Sequence, residues 1–295
     1  MSEESKRRVL IISPVRNEAE FFEKTLKSVC EQSLQPAKWI IVNDGSTDET
    51  AEQATRFAEQ YDFVELLHLK EHDERALGPR VVQNFNIGLQ HAKDTGVEFD
   101  YVCKLDGDLE FGPEAYETIV NMFEADPGLG MAGPSVFLRL DSGREIFERY
   151  ARYHVPGQFK VYRRECFEKM GGLFEVYGWD IADETEARRL GWKTEHTDDV
   201  RVIHLRLQGS AFGIIKGRRI WGWGAYATCS YPPFAILRGV FRLVEPPYII
   251  GGIAFIWGFI EAHWKDINRV PKPEFGPYIR SEHKKRILSF NRKTQ

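Results

Sequence analysis

The sequence is poor in cysteine, with four in 295 residues: Cys30, Cys103, Cys166 and Cys229. No Cys-x-x-Cys pair occurs, so neither a zinc site nor a disulfide framework is indicated. A reducing cytosol is the expected compartment. Met1 to Arg8 run into a strand-like segment without the apolar region of a signal peptide, so export is not expected. The uncharged run from Tyr248 to Ile260 falls short of the roughly 20 residues that span a bilayer. No Gly-x-Gly-x-x-Gly follows the first strand-like segment, and no Gly-x-x-x-x-Gly-Lys-Ser/Thr occurs. A dinucleotide fingerprint and a P-loop are both unsupported.

A hydrophobic content of 42% and a charged content of 28% fit a folded chain of one large domain, or one domain with an appendage. The net charge of −4 conceals an asymmetry. From Arg206 onward there are 15 Lys+Arg against 5 Asp+Glu, whereas the preceding part holds 25 against 39. The basic segment also carries Trp221, Trp223, Trp257 and Trp264 of the seven tryptophans. An acidic body with a basic, aromatic tail suggests that the tail meets an anionic surface.

Three apolar, β-prone runs end in polar clusters. Val9 to Pro14 leads to Arg16-Asn17-Glu18, Trp39 to Val42 leads to Asn43-Asp44, and Tyr101 to Leu105 leads to Asp106-Gly107-Asp108. A further strand is expected over Phe63 to His68, and helical patterns run through Phe22, Leu26 and Val29 and over Arg80 to Lys93. Ser46 or Thr47 is expected to cap the helix after the second strand, with Asp48 and Glu49 in its first turn. Such alternation implies a parallel sheet with helices on both faces and ligands at the carboxyl ends of the strands. Asp106 and Asp108, two apart in an extended segment, can converge on one ligand, and Gly107 allows the tight turn. Two carboxylates without a nearby cysteine suit Mg²⁺ or Mn²⁺. An ordinary surface Asp-Gly turn is the competing reading.

With these motifs the chain resembles the family 2 inverting glycosyltransferases of GT-A fold. The resemblance is carried by Ser13-Pro14-Val15-Arg16-Asn17-Glu18, Val42-Asn43-Asp44-Gly45-Ser46-Thr47-Asp48, Asn86-Ile87-Gly88-Leu89 and the Asp106-Gly107-Asp108 DxD motif, and it covers roughly Val9 to His204. It implies a mostly parallel α/β sheet flanked by helices over residues 1–205; residues 206–295 read by their own composition as a helical, amphipathic extension. It also implies a nucleoside-diphosphate sugar donor, UDP- or GDP-linked, held by Pro14, Val15, Arg16, Asn17, Glu18, Asp44, Arg80, Asp106 and Gly107. Asp106, Asp108 and His204 would hold Mg²⁺ or Mn²⁺. Phe85 departs from the family pattern, where many relatives carry arginine, and Arg80 stands about one helical turn earlier to supply that charge. The catalytic base falls in Trp179-Asp180-Ile181-Ala182-Asp183-Glu184, ahead of a helix closed by Gly191. Asp180 aligns with the family's aspartate, Asp183 is the rival, and plain capping of the helix by acids is the bland alternative.

Beyond His204 the resemblance ends. Arg206 to Trp223 reads as a mobile loop able to close over a diphosphate. Tyr231 to Val244 and Tyr248 to Ile260 read as helices lying in a membrane interface, or as a soluble pair packed on protein. A sugar-phosphate nucleotidyltransferase and a non-catalytic, membrane-associated nucleotide-sugar-binding module are the alternatives, and nucleic-acid binding is disfavoured. The expectation is an enzyme that transfers a sugar to a hydroxyl of a lipid-linked or glycan acceptor, peripheral on the cytoplasmic membrane face.

Overall fold

Val9-Leu10-Ile11-Ile12 is apolar at successive positions because the strand it forms is covered on both faces, and all four side chains are fully buried. This strand, β1 (Val9–Val15), is central to a sheet seen in a computed structural model that describes residues 7–70, 78–140, 143–148, 150–206 and 213–292. The chain divides into two compact units: residues 1–76, 80–173 and 190–206, and residues 77–79, 174–189 and 207–295.

In the first unit β1 is followed by α1 (Ala19–Cys30), β2 (Lys38–Asn43), α2 (Thr50–Ala58), β3 (Val64–His68), α3 (Pro79–Asp94) and β4 (Tyr101–Leu105). These four strands pair in parallel, in the order β3-β2-β1-β4. Phe22, Leu26 and Val29 form the buried face of α1, as their spacing predicts. Trp39 on β2 is fully buried, and its indole N–H donates to Ser13 Oγ at 2.9 Å. Gly88 lets α3 lie directly on the sheet, since a Cβ there would stand 2.8 Å from Ile12 Cγ2 and 2.9 Å from Val42 Cγ2.

Beyond β4 the sheet departs from the strand-helix alternation. β5 (Leu109–Phe111), α4 (Ala115–Ala125), β6 (Leu129–Arg139), β7 (Glu145–Phe147), β8 (Phe159–Arg163), α5 (Arg164–Met170) and β9 (Lys193–His204) complete the unit. β8 pairs antiparallel with β4 and β6, β7 with β6 and β5 with β9, while β6 and β9 run parallel. The parallel expectation therefore holds for one half of the sheet. Beyond it, β6 returns through β7 to β8 without an intervening helix, which allows antiparallel pairing.

The second unit holds α6 (Trp179–Arg189), α7 (Ile214–Ala227), α8 (Pro232–Phe241), a 3-10 turn (Arg242–Val244), α9 (Ile250–Trp264) and α10 (Phe275–Arg292). The expected mobile loop over Arg206 to Trp223 is corrected in part. Lys216, Arg218 and Arg219 lie on α7, while residues 207–212 are outside the described part. One cluster of its core joins Phe174, Ala182, Ala227, Phe275 and Ile279, and another joins Tyr226, Ala235, Phe255, Phe259 and Ala262. Among the described residues, no helix is long and apolar enough to cross a membrane.

The contact at Gly88 gives a direct test. Gly88→Ala is expected to lower stability by about 1–3 kcal/mol through overpacking of α3 on the sheet. Gly112→Ala, where a Cβ meets nothing within 4 Å, should change it by no more than about 0.5 kcal/mol. Urea unfolding of both variants measures the difference.

Candidate functional site

The parallel pairing of β1 and β2 sets Val15 beside Asn43, so the loops that follow the two strands meet. Asn17 adopts a left-handed backbone, φ 52°, which asparagine tolerates better than most residues. Its N–H donates to Ser46 Oγ at 3.1 Å, and its side-chain oxygen accepts the Thr47 N–H at 2.8 Å. The Glu18 N–H donates to Thr50 Oγ1 at 2.8 Å. Asp48 accepts the Ala19 N–H at 3.1 Å with one carboxylate oxygen and the Thr50 N–H at 3.0 Å with the other. One exposed aspartate thus caps the first turns of both α1 and α2. This corrects the expected cap at Ser46 or Thr47: α2 begins only at Thr50, and Ser46 Oγ serves Asn17 instead. Pro14 and Val15 end β1, and Arg16 is half-buried beside them.

Asp44, buried at the end of β2, has its N–H on Val15 O at 2.9 Å and its carboxylate on Arg80 Nη2 at 3.0 Å. The sequence suggested both residues, and the structure joins them. Arg80 Nε is buried without a hydrogen-bond partner. Phe85 is fully buried against Phe167, 6.1 Å between ring centroids, so its place in α3 belongs to the core.

Asp106-Gly107-Asp108 makes the turn between β4 and β5. A Cβ on Gly107 would stand 3.1 Å from Val15 Cγ1, 3.2 Å from Phe22 Cδ2 and 3.4 Å from Glu18 Cγ. The turn is thus held tightly against the end of β1. Asp106 is paired with Lys104, a buried lysine two residues earlier on β4 that also donates to Gly157 O at 3.0 Å. The Asp106 side chain remains 32% exposed and within reach of a ligand, whereas that of Asp108 is 11% exposed.

β5 pairs with β9 in a register that sets Leu109 opposite His204. This brings His204 Nε2 to 3.4 Å from Asp108 Oδ2, and its Nδ1 lies 3.3 Å from Glu148. Burial alone would lower the imidazole pKa, but the two carboxylates raise it to about 10. Burial likewise pushes the Asp108 carboxyl up, yet His204, with Arg206, takes it below the usual carboxylate range. Arg206 also pairs with Glu18, Nη2 to Oε2 2.6 Å, and lies over the Phe21 ring.

Asp108 Oδ1 is buried and accepts no hydrogen bond. A buried, unpartnered carboxylate oxygen is the feature that a bound cation satisfies. Among the described residues, no three His, Cys, Asp or Glu side chains are grouped so as to hold a metal by themselves. Mg²⁺ and Mn²⁺ sites, however, commonly take one or two carboxylates and complete their shell with substrate phosphates and water. The residues present fit a cation shared with a ligand.

Asp180 and Asp183 lie on α6 in the second unit. Asp180, in the first turn, is half-buried, whereas Asp183 has no exposure. The acids that follow are structural. Glu186 accepts from Arg189 and Lys272, both at 2.7 Å, and Arg188 joins Glu184 at 3.6 Å and Glu282 at 3.1 Å. Gly191 has φ +90°, as a helix-terminating glycine requires.

Sequence reasoning missed Lys104, Glu148 and Arg206 as members of this arrangement, and it placed Asp48 in the first turn of α2 without its second role at α1. Lys104 carried a signal, since a lysine in an apolar strand two residues before Asp106 shares its face. Glu148 carried none.

The family model for glycosyl transferase family 2 matches residues 10–174. The chain belongs to this family. It is 33% identical over 276 residues to the poly-beta-1,6-N-acetyl-D-glucosamine synthase of Staphylococcus aureus strain COL, covering 83% of this chain and 61% of that protein. It is 32% identical over 121 residues to the uncharacterized glycosyltransferase YibD of Escherichia coli K12, covering 40% and 31%. The chain thus spans between 31% and 61% of the length of these curated relatives. Among solved structures, it is similar to the mannosyltransferase PcManGT of Pyrobaculum calidifontis in complex with GDP-Man and Mn²⁺, with a TM-score of 0.61, 18% identity and coverage of 88% and 87%. It is also similar to Staphylococcus aureus TarS in complex with UDP-GlcNAc, with a TM-score of 0.54, 13% identity and coverage of 92% and 78%. These likenesses establish the GT-A fold.

The double cap leads to a prediction with a pH sign. The Asp48 carboxyl meets a burial effect that raises its pKa, but Thr50 and Ala19 hold it below its usual 3.8. A lowered folded pKa contributes stability that is complete above the usual value and is lost as pH falls through the folded one. Asp48→Ala should cost about 1 kcal/mol at neutral pH, a cap's value after allowance for solvent exposure. The gap in Tm between variant and wild type should narrow below about pH 4. Thermal unfolding at a series of pH values measures both.

Proposed function

We propose that the protein is a metal-dependent inverting glycosyltransferase, moving a sugar from a nucleoside-diphosphate donor to a hydroxyl acceptor, lipid-linked or glycan, on the cytoplasmic face of a membrane. The observation that carries this reading is the Asp106-Gly107-Asp108 turn at the end of β4, with its unsatisfied Asp108 Oδ1. The complexes of similar structures support a donor of this class, since one is described with GDP-Man and another with UDP-GlcNAc.

In this reading Pro14 to Glu18, Asp44 and Arg80 take the base and ribose of a UDP- or GDP-linked sugar. Asp106 and Gly107 face the ribose and diphosphate. Asp106 and Asp108, with His204 beside them, hold Mg²⁺ or Mn²⁺. When bound, such an ion offsets the negative charge that builds on the leaving diphosphate. Asp180 is the base. It removes the proton of the acceptor hydroxyl while that oxygen bonds to the anomeric carbon and the bond from that carbon to the diphosphate oxygen breaks. Its partial exposure favours it over Asp183, which has none. The domain reading keeps residues 1–205 for catalysis and residues 206–295 for the extension, whereas Leu77–Pro79 and Phe174–Arg189, with Asp180, group with the second compact unit. Large exposed apolar side chains, among them Val244 at 76% and Trp264 at 72%, support membrane contact by the extension.

The test is turnover of a panel of sugar nucleotides, read as release of nucleoside diphosphate in the presence of Mn²⁺. One donor should be consumed. Asp180→Asn should lower the rate about 10²–10⁴-fold as the loss of a general base, while Asp183→Asn that still folds should retain more. No turnover of any donor by folded protein, with and without membrane extract as acceptor, would contradict the reading.

A further inference from the structure

The second unit gathers three arginines in one place, and for two of them, Arg218 and Arg242, the acid felt is the exposed Glu245. Arg238 and Arg242 are four residues apart across the end of α8, and Arg218 on α7 faces the same place. Their guanidinium groups share an aromatic platform. Arg218 lies 4.3 Å from the centroid of Trp221, Arg242 lies 5.3 Å from Trp221 and 5.2 Å from Phe255, and Arg238 lies 5.7 Å from Phe255. Arg218 Nη2 donates to Pro246 O at 3.0 Å, and Arg242 Nη1 reaches Arg238 O at 3.5 Å. Arg242 Nε is buried with no hydrogen-bond partner. Burial, with Arg238 and Arg218, lowers the Arg242 pKa to about 10, and exposed Glu245 is the acid that opposes them.

A buried Arg242 Nε without an acceptor, on a guanidinium crowded by Arg218 and set on an aromatic floor, is unfavourable without an anion. The apolar side chains around them indicate which anion. Val240, Phe241 and Val244 interleave with Arg238 and Arg242 along the chain and are 48%, 49% and 76% exposed. Ile249, Ile253 and Trp257 on the α9 side are 60%, 57% and 48% exposed. The scaffold beneath is tightly built. A Cβ on Gly239 would lie 2.3 Å from Ile256 Cγ1, one on Gly252 would lie 2.5 Å from Gly239 O, and one on Gly258 would lie 2.0 Å from Arg219 O. Small residues that let helix backbones meet are also the packing mode of helices in lipid.

We propose that Arg218, Arg238 and Arg242 form a phosphate-binding site for the headgroup of an anionic lipid, with the neighbouring apolar side chains seated in the same membrane. This rests on the membrane part of the function proposed above and adds the ligand class and the residues that take it. Guanidinium groups pair with phosphate oxygens in a fixed fork, whereas the apolar rim suits acyl chains and not a free ion.

The test is flotation of the full chain with vesicles of phosphatidylcholine alone, or with about a third phosphatidylglycerol. The variants are Arg242→Met, Arg218→Gln, Trp257→Ser and, as a charge control, Lys285→Gln on α10. The wild type should prefer the anionic vesicles. Arg242→Met and Arg218→Gln should each lower that affinity at least about fivefold, the equivalent of ~1 kcal/mol per basic residue at an anionic surface. They should leave binding to neutral vesicles unchanged, with Lys285→Gln close to wild type. Without lipid, Arg242→Met should match or exceed the wild-type Tm, because it keeps the length of the side chain and removes an unbalanced charge. This separates lost binding from lost folding. Trp257→Ser should weaken binding to both vesicles. Anionic binding that is indifferent to both arginine variants would overturn the phosphate site and leave the membrane reading standing. Failure to bind either vesicle would overturn both. Displacement from anionic vesicles by millimolar inorganic phosphate, together with a rise in Tm on adding it, would make the site one for free phosphate and overturn the lipid assignment.

Discussion

Two carboxylates two residues apart at the end of a buried strand repel each other and lose hydration, so each gains from a partner able to donate a hydrogen bond or carry positive charge. The first unit supplies such partners from two sides. Lys104, on the same strand as Asp106, lies under that carboxylate, and His204, brought in by β9, stands against Asp108. Much of the sheet serves this arrangement. β5 is three residues long and contributes the register that sets His204 in place, and Gly107 allows the turn to lie against Val15 and Phe22. What remains unsatisfied is one oxygen, Asp108 Oδ1, and the proposed cation site rests on that residual acceptor.

The loops around this turn are organised by short polar side chains. Asn17, Ser46, Asp48 and Thr50 exchange hydrogen bonds that tie the end of β1 to the start of α2. Such ties fix the backbone of the segment to which nucleotide binding is assigned, without a glycine-rich phosphate loop. Asp44 and Arg80 add a charged pair at the next strand end. Preorganisation of this kind reduces the ordering that a ligand must bring about on binding.

The parallel half of the fold was legible because its strands are largely apolar runs and β1, β2 and β3 are each followed by a helix with regular spacing. The polar residues at the strand ends were legible for the same reason, since parallel topology puts them on one edge. The antiparallel half was not. Its strands β6, β7 and β8 follow one another without helices, and β6, β8 and β9 pair at long sequence separation, which local periodicity does not encode. The site divides in the same way. Asp106, Asp108 and His204 could be read from motif and strand ends, but Glu148 joins His204 through a chain separation of 56 residues. The cap of α2 was misplaced because Ser, Thr and Asp occur in succession before the helix, and the one that caps is decided by where the helix begins. Within Arg206 to Trp223, the part from Ile214 is helix and not loop: its glycines and arginines suggest flexibility, whereas Gly222 is required by the approach of α9 to α7.

The most direct measurement of the central claim is calorimetric titration of UDP and GDP into the protein with and without Mn²⁺, repeated on Asp108→Asn. The account predicts that one diphosphate binds with Mn²⁺ at least about tenfold more tightly than without it, and that the substitution removes this difference, a loss of ~1.4 kcal/mol or more. Diphosphate binding of equal strength with and without Mn²⁺, or a Mn²⁺ effect that survives in Asp108→Asn, would contradict it.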